Sequence, residues 1–221
     1  MTTALALRPT TDLDRYFQEI NRYPLLSRSE EHALALQFYD SGDVSAAHKL
    51  VVSNIRFVVK TAWEFRHYGL PMIDLVQEGN IGLMHAVKKF NPHKGYRLIT
   101  YAVWWIRAHI QSFVMKSWSM VKVGTGKIAK RLFFKLRSTK NKIEQDAAGN
   151  DDIDITGDLA ERLGVSEADV SDMELRLAAR DFSLDAPLTD EAKATFVDSM
   201  TSTTTDPEEE TARGEEQRMV R

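Results

Sequence analysis

The stretch Gly95-Tyr96-Arg97-Leu98-Ile99-Thr100-Tyr101-Ala102-Val103-Trp104-Trp105-Ile106-Arg107 decides how this chain is read. No glycine or proline interrupts it after Gly95, and Tyr101, Trp104 and Trp105 stand at i, i+3 and i+4, which gathers three rings on one helical face. Aromatics at helical spacing ordinarily form core. Here Ala102, Val103 and Ile106 can supply the buried side instead. With Arg97 and Arg107 beside them and Lys88, Lys89 and Lys94 just upstream, the rings have the composition of a base-stacking platform rimmed by cations that follow phosphates.

Working outward, apolar residues recur at spacings of three and four, and no run alternates with period two for long, so the expectation is all-α with no sheet. Residues 12–20 form a helix carrying Leu13, Tyr16, Phe17 and Ile20 on one side; Pro24 then forces an extended connection. Ser27 with Glu30 three positions on is a capping-box spacing that opens a second helix, ended by Ser41-Gly42-Asp43. A third helix over 46–65 has Val51, Ile55, Val58, Val59 and Ala62 as its core stripe. A fourth over 73–90 has Val76, Leu83, Val87 and Phe90, and the fifth spans 97–118. The fourth tolerates Gly79 and Gly82 in its interior at about 1 kcal/mol each relative to alanine, which calls for something packed very close. After a composition break at 121–126, helices are expected over 127–143, 156–163 and 166–179, with a Gly/Asn/Asp loop between the first two. The organisation is two small helical domains, 1–118 and 119–180, followed by an acidic, largely extended segment, 181–221, of which 198–216 reads as a disordered linker.

The formal charge of -3 conceals strong segregation. Residues 49–142 hold 18 Lys and Arg against 3 Asp and Glu, residues 143–221 hold 7 against 22, and residues 1–48 hold 4 against 7. A basic centre this little interrupted points to a polyanion partner. With no cysteine, a disulfide framework, a thiolate metal site and a cysteine nucleophile are all excluded, and the cytoplasm is the expected compartment. Neither a signal peptide nor a membrane span is read in the chain. The six histidines (32, 48, 67, 85, 93 and 109) have no metal-ligand spacing, and there is no phosphate loop or nucleophile elbow, so the expectation is a recognition protein without cofactor or catalysis.

The run Asp74-Leu75-Val76-Gln77-Glu78-Gly79-Asn80-Ile81-Gly82-Leu83-Met84, followed by Gly95-Tyr96-Arg97 and Thr100-Tyr101-Ala102-Val103-Trp104-Trp105-Ile106-Arg107, resembles bacterial sigma-70 family sigma factors. Lys130-Arg131-Leu132-Phe133-Phe134-Lys135-Leu136-Arg137 resembles the segment typical of the heat-shock members. The resemblance implies that residues 12–38 precede a promoter-melting domain at 49–118, that 121–180 form the middle domain, and that 181–200 form a finger entering the polymerase cleft. There Asp185, Asp190 and Glu191 would mimic nucleic acid. By the same resemblance, Ile73, Asp74, Gln77, Glu78, Asn80 and Met84 face the clamp helices of the largest core RNA polymerase subunit, with the two glycines serving that helix-on-helix contact. Tyr101 would stack on a flipped base of the non-template -10 strand, Trp104 and Trp105 would wedge the upstream edge of the bubble, and Arg107 and Gln111 would face the last duplex pairs. Tyr96 belongs to the same DNA-binding set, and Lys122, Lys127, Lys130 and Arg131 would lie near the upstream duplex. Chaperones or proteases would be further partners.

Leu98 stands where the family usually has phenylalanine, so one stacking partner is lost or replaced. Ala108 and His109 differ from housekeeping members, and no counterpart of the -35-reading domain follows before Arg221. Residues 158–170 mimic a helix-turn-helix, yet Glu167, Asp169, Asp172 and Glu174 on its second helix would be repelled by phosphates, so this segment is read as packing within the middle domain. Two rivals to the sigma-factor reading are a free-standing helix-turn-helix repressor and a truncated decoy competing for core polymerase.

Overall fold

A computed structural model describes residues 12–146, 154–178, 181–189, 194–200 and the single positions 208, 211 and 215. The expected Gly/Asn/Asp loop, the residues Asp190 and Glu191, and nearly all of the acidic tail lie outside the described residues.

The α-helices delimited among the described residues are, in order, α1 Asp12–Ile20, α2 Arg28–Ser41, α3 Val44–Trp63, α4 Met72–Lys89, α5 Leu98–Ser117, α6 Lys127–Asp146, α7 Ile155–Leu163 and α8 Glu167–Ala178. Among the described residues there is no strand, only an isolated bridge between Pro187 and Thr195. No helix of the described residues is long and apolar enough to cross a membrane. The expected capping box is present: Ser27 Oγ accepts the Glu30 N–H and Glu30 Oε2 accepts the Ser27 N–H at 2.8 Å. The Ser27 hydroxyl, donating to Glu30 Oε2 at 2.7 Å, and after it the Ser27 N–H hold the Glu30 carboxyl below its ordinary value. Their contribution is complete above the ordinary glutamate pKa and is lost as acidification carries Glu30 through its lowered one. Gly42 ends α2 at φ 69, in the left-handed region that a side chain rarely adopts.

Helices α1 to α8 lie in one compact unit with a continuous apolar core. The inward side of α5 is a ladder of Leu98, Ala102, Ile106, Ile110 and Val114, all fully buried. Opposite it, α4 buries Leu75, Val76, Gly79, Gly82, Leu83, Ala86 and Val87. Here the structure corrects the use assigned to the glycines. A Cβ at Gly82 would sit 2.8 Å from the Trp105 carbonyl oxygen and 2.9 Å from Ile106 Cα, and one at Gly79 would meet Val58 Cγ1 at 2.5 Å. The close backbone approach is between α4 and α5 of this chain, with α3 behind, so neither glycine is available to an outside helix. Leu98 is likewise core rather than a lost stacking position.

The middle helices pack α6 on α7 and α8 through Leu132, Leu136 and Ile143 against Leu159, Leu163, Val170 and Met173. Because α8 buries Val170 and Met173 and its Glu174 pairs with Lys140 at 2.8 Å, it is a packing helix, as its acidic sequence indicates. Phe133 and Phe134 of α6 reach the 3-10 turn Arg66–Tyr68: Tyr68 stacks on Phe133 at 5.6 Å and 17°, Phe134 meets it edge-on, and Trp118 meets Phe133 edge-on. Burial raises the Tyr68 pKa.

Residues 180–221 form a separate unit. Its described part folds back on itself rather than running straight. The Phe196 N–H donates to the Ala186 carbonyl at 3.2 Å, the Val197 N–H donates to that of Leu184 at 3.0 Å, and Phe182 meets Phe196 edge-on. Asp198, read as the start of the disordered linker, sits in the 3-10 turn Val197–Ser199 and accepts the Thr195 N–H at 2.8 Å.

Replacing Gly82 with alanine is expected to destabilise the chain by about 1–2 kcal/mol in urea unfolding, because fixed backbone atoms outweigh the gain in helix propensity. At Gly79 the nearest obstacle is the buried Val58 side chain rather than backbone.

Candidate nucleic-acid interface

The aromatic face of α5 extends into a row that the sequence only partly discloses. Phe90, Tyr96, Tyr101 and Trp105 follow one another at ring-centroid distances of 5.9, 6.4 and 6.3 Å for the pairs Phe90–Tyr96, Tyr96–Tyr101 and Tyr101–Trp105. These separations lie in the range of favourable aromatic pairing. Trp105 closes the row: His85 of α4 stacks on it at 5.3 Å and 9°, and Lys89 Nζ stands 4.7 Å from its ring centroid. Trp104 is different. It is 73% exposed, so the two adjacent tryptophans have unlike surroundings, one held by α4 and one projecting into solvent.

The cations around the row divide into held and available groups. Arg97, assigned from sequence to phosphates, occupies the N-cap position of α5 and puts its guanidinium on Glu31 of α2, with Nη2 2.6 Å and Nε 3.1 Å from Oε2. Glu31 is 4% exposed and also accepts the Leu98 N–H at 2.8 Å, so one buried carboxylate caps α5 and anchors Arg97. The hydrogen bonds from its guanidinium to the Glu31 carboxylate are the first cause holding Arg97 above its ordinary pKa. Arg107 pairs with Glu64 at 2.8 Å, but both side chains are about half exposed. Such a pair is worth about 0–1 kcal/mol, so Arg107 can change partners at little cost. Lys88 and Lys94 are exposed, and Gln111 is half-buried on α5. At the start of α6, Lys127, Lys130 and Arg131 occupy the end of the helix where the dipole disfavours cations by about 0.3–1 kcal/mol each, which concentrates positive potential there. Arg131 is engaged, its Nη1 2.7 Å from the Leu163 carbonyl; Lys122 and Lys127 are exposed.

On α4, Asp74, Gln77 and Met84 share one exposed face with Ile81, which is 43% exposed. Ile73 and Asn80 lie half-buried along one flank of this face, and Glu78 lies half-buried along the α5 flank. Ile81 was not singled out from sequence, although its spacing of four from Gln77 and seven from Asp74 carried the signal. Arg28 and His32 of α2 were also missed: with Phe90, Tyr96 and Arg97 they line an open recess of about 530 Å³ beside the aromatic row. Arg28 reaches it through a 2.9 Å bond to the Gly95 carbonyl, 67 positions away, which no local pattern reveals.

Residues 13–42 match the family described as Sigma-70 factor, region 1.2, and residues 50–120 match Sigma-70 region 2. The RNA polymerase sigma-C factor of Myxococcus xanthus is 46% identical over 209 residues, covering 95% of this chain and 70% of that protein. The chain belongs to the sigma-70 family. Two further sigma-70 relatives are the RNA polymerase sigma factors RpoH of Caulobacter vibrioides, 45% identical over 87% of this chain, and of Rhizobium radiobacter, 48% identical over 80%. This chain spans 65% and 58% of their respective lengths.

Trp104→Ala is expected to leave stability within about 0.5 kcal/mol. Arg97→Ala, which strips a buried carboxylate of its partner, is expected to cost about 2 kcal/mol. Urea unfolding of both variants checks the division between held and available groups.

Proposed function

We propose that this chain is a sigma factor of heat-shock type that binds core RNA polymerase and directs initiation by capturing the melted -10 element. The observation that carries the reading is the pairing, on the tightly packed helices α4 and α5, of an exposed face with a partly exposed aromatic row. The first is an amide, acid and apolar face on α4; the second is the cation-rimmed row from Tyr96 to Tyr101 and Trp105 of α5, beside the projecting Trp104. In this reading Ile73, Asp74, Gln77, Glu78, Asn80 and Met84, joined by Ile81, meet the clamp helices of the largest polymerase subunit. Tyr96 and Tyr101 take unstacked bases of the non-template strand, Trp104 and Trp105 stand at the upstream edge of the bubble, and Arg107 and Gln111 face the adjoining duplex. Lys88, Lys89, Lys94, Lys122, Lys127 and Lys130 follow phosphates. Arg97 and Arg131 contribute by fixing the helices that present the others. The heat-shock type is supported by the names of the Caulobacter and Rhizobium relatives and by the segment Lys130 to Arg137. The chain acts by recognition rather than catalysis, in the cytoplasm where its polymerase works.

Energetics assign the opening of duplex to the complex rather than to this chain. Separating about ten base pairs at roughly 1.4 kcal/mol per step costs on the order of 14 kcal/mol. Two or three base stacks at about 1–3 kcal/mol each return at most about 9. The free chain is therefore expected not to open a promoter duplex carrying a fluorescent base reporter, and the chain with core polymerase to do so.

A free-standing repressor is disfavoured by the acidic exposed face of α8, the one helix of a helix-turn-helix pattern available to enter a groove. Fluorescence anisotropy with core polymerase tests the reading directly. Tight binding is expected, weakened at least tenfold, or about 1.4 kcal/mol, by joint replacement of Gln77 and Glu78 with alanine. Absence of binding by the unsubstituted chain would remove the sigma-factor mechanism.

A further inference from the structure

Asn80 lies on the flank of the α4 face, and its amide is committed to two partners at once. Nδ2 donates to the Tyr16 hydroxyl of α1 at 2.9 Å and to Gln77 Oε1 at 3.2 Å. An amide nitrogen has two hydrogens, so both bonds form together. Gln77 is exposed and is held by its oxygen, which turns its own NH2 group away from Asn80. Tyr16 is partly buried against the core, so the point from which this chain of bonds hangs is itself fixed.

The arrangement is not the one stability alone would select. Asn80 Oδ1 is buried and finds no hydrogen-bond partner among the described residues. A buried acceptor left bare costs about 1–3 kcal/mol, and an apolar residue in its place would avoid that cost. What the asparagine supplies is orientation, since it joins a fixed hydroxyl to an exposed glutamine amide.

We infer that Tyr16 is a positioning residue for the polymerase-facing surface, acting through Asn80 to present the Gln77 side chain as a hydrogen-bond donor. The partner group opposite Gln77 is then an acceptor, a backbone carbonyl or a carboxylate. This rests on the reading that α4 docks on core polymerase, and it adds a residue from a different helix that makes no contact of its own with the partner. It also gives α1 a role in core binding that its position outside the docking helix would not indicate.

The test is a double-mutant cycle on the full chain, read by anisotropy with core polymerase, with thermal midpoints measured alongside. Tyr16→Phe keeps the ring and removes the hydroxyl; it is expected to weaken binding roughly three- to tenfold, the loss of one hydrogen bond. In a Gln77→Ala background the same substitution is expected to have no further effect, because the side chain it positions is gone. Undiminished affinity of Tyr16→Phe, with or without a lowered thermal midpoint, would reduce Tyr16 to a structural residue and overturn the inference. So would full additivity of the two substitutions. If the unsubstituted chain fails to bind polymerase, the docking reading falls and this inference with it, an outcome distinct from binding that Tyr16 does not modulate.

Discussion

The approach of α4 to α5 is the constraint on which the rest of this structure depends. At Gly82 the space for a side chain is filled by the backbone of α5 itself, at Trp105 and Ile106, and at Gly79 it is filled by Val58 of α3. Two helices held this close are fixed in rotation as well as distance. Their outer faces are therefore fixed too: Asp74, Gln77, Ile81 and Met84 on one, and Trp104 with Arg107 on the other. A helix former at either glycine would strengthen α4 in isolation and part it from its neighbour. The sequence accepts two unfavourable helix residues because the interface recovers more in packed surface than the helix loses.

The same economy governs the charged and aromatic groups. Glu31, buried in α2, neutralises Arg97 and caps the first turn of α5 with one carboxylate. This fixes the start of the helix that carries the ring row. Trp105 is packed by His85, Lys89 and Tyr101, while Trp104 is left projecting. A basic aromatic surface built in this way is partly rigid on its own, which lowers the ordering entropy that binding any ligand would cost.

The basic segment from Lys130 to Arg137 in α6 turns its two phenylalanines inward. Phe133 and Phe134 join Phe65, Tyr68 and Trp118 in one aromatic cluster, so residues of the first five helices and of the middle helices share a core. Arg176 adds a polar tie, its Nη1 2.7 Å from the Val123 carbonyl in the connection before α6. An apolar pair inside a basic segment thus has a packing reason, which leaves Lys130 and Lys135 of that segment without such a duty.

The sequence by itself determined the helices, because each is set by local chemistry. Ser27 and Glu30 close a capping box, Gly42 and Gly164 stop helices in the left-handed conformation, and apolar residues recur with the helical period. It also determined the aromatic face at Tyr101, Trp104 and Trp105, since three residues within one helical turn need no tertiary information to share a side. Family likeness was legible for a similar reason, being carried by contiguous motifs. What only the tertiary structure decided is which of those residues remain free. Arg97 and Trp105 read as ligands for a nucleic acid, yet Glu31 lies 66 positions from Arg97 and His85 on another helix altogether. The glycines read as serving an outside partner, and the backbone they admit is α5. Pairing between distant segments depends on how helices cross, and helix crossing is fixed by side-chain volume and close approach, which no periodicity in the chain encodes.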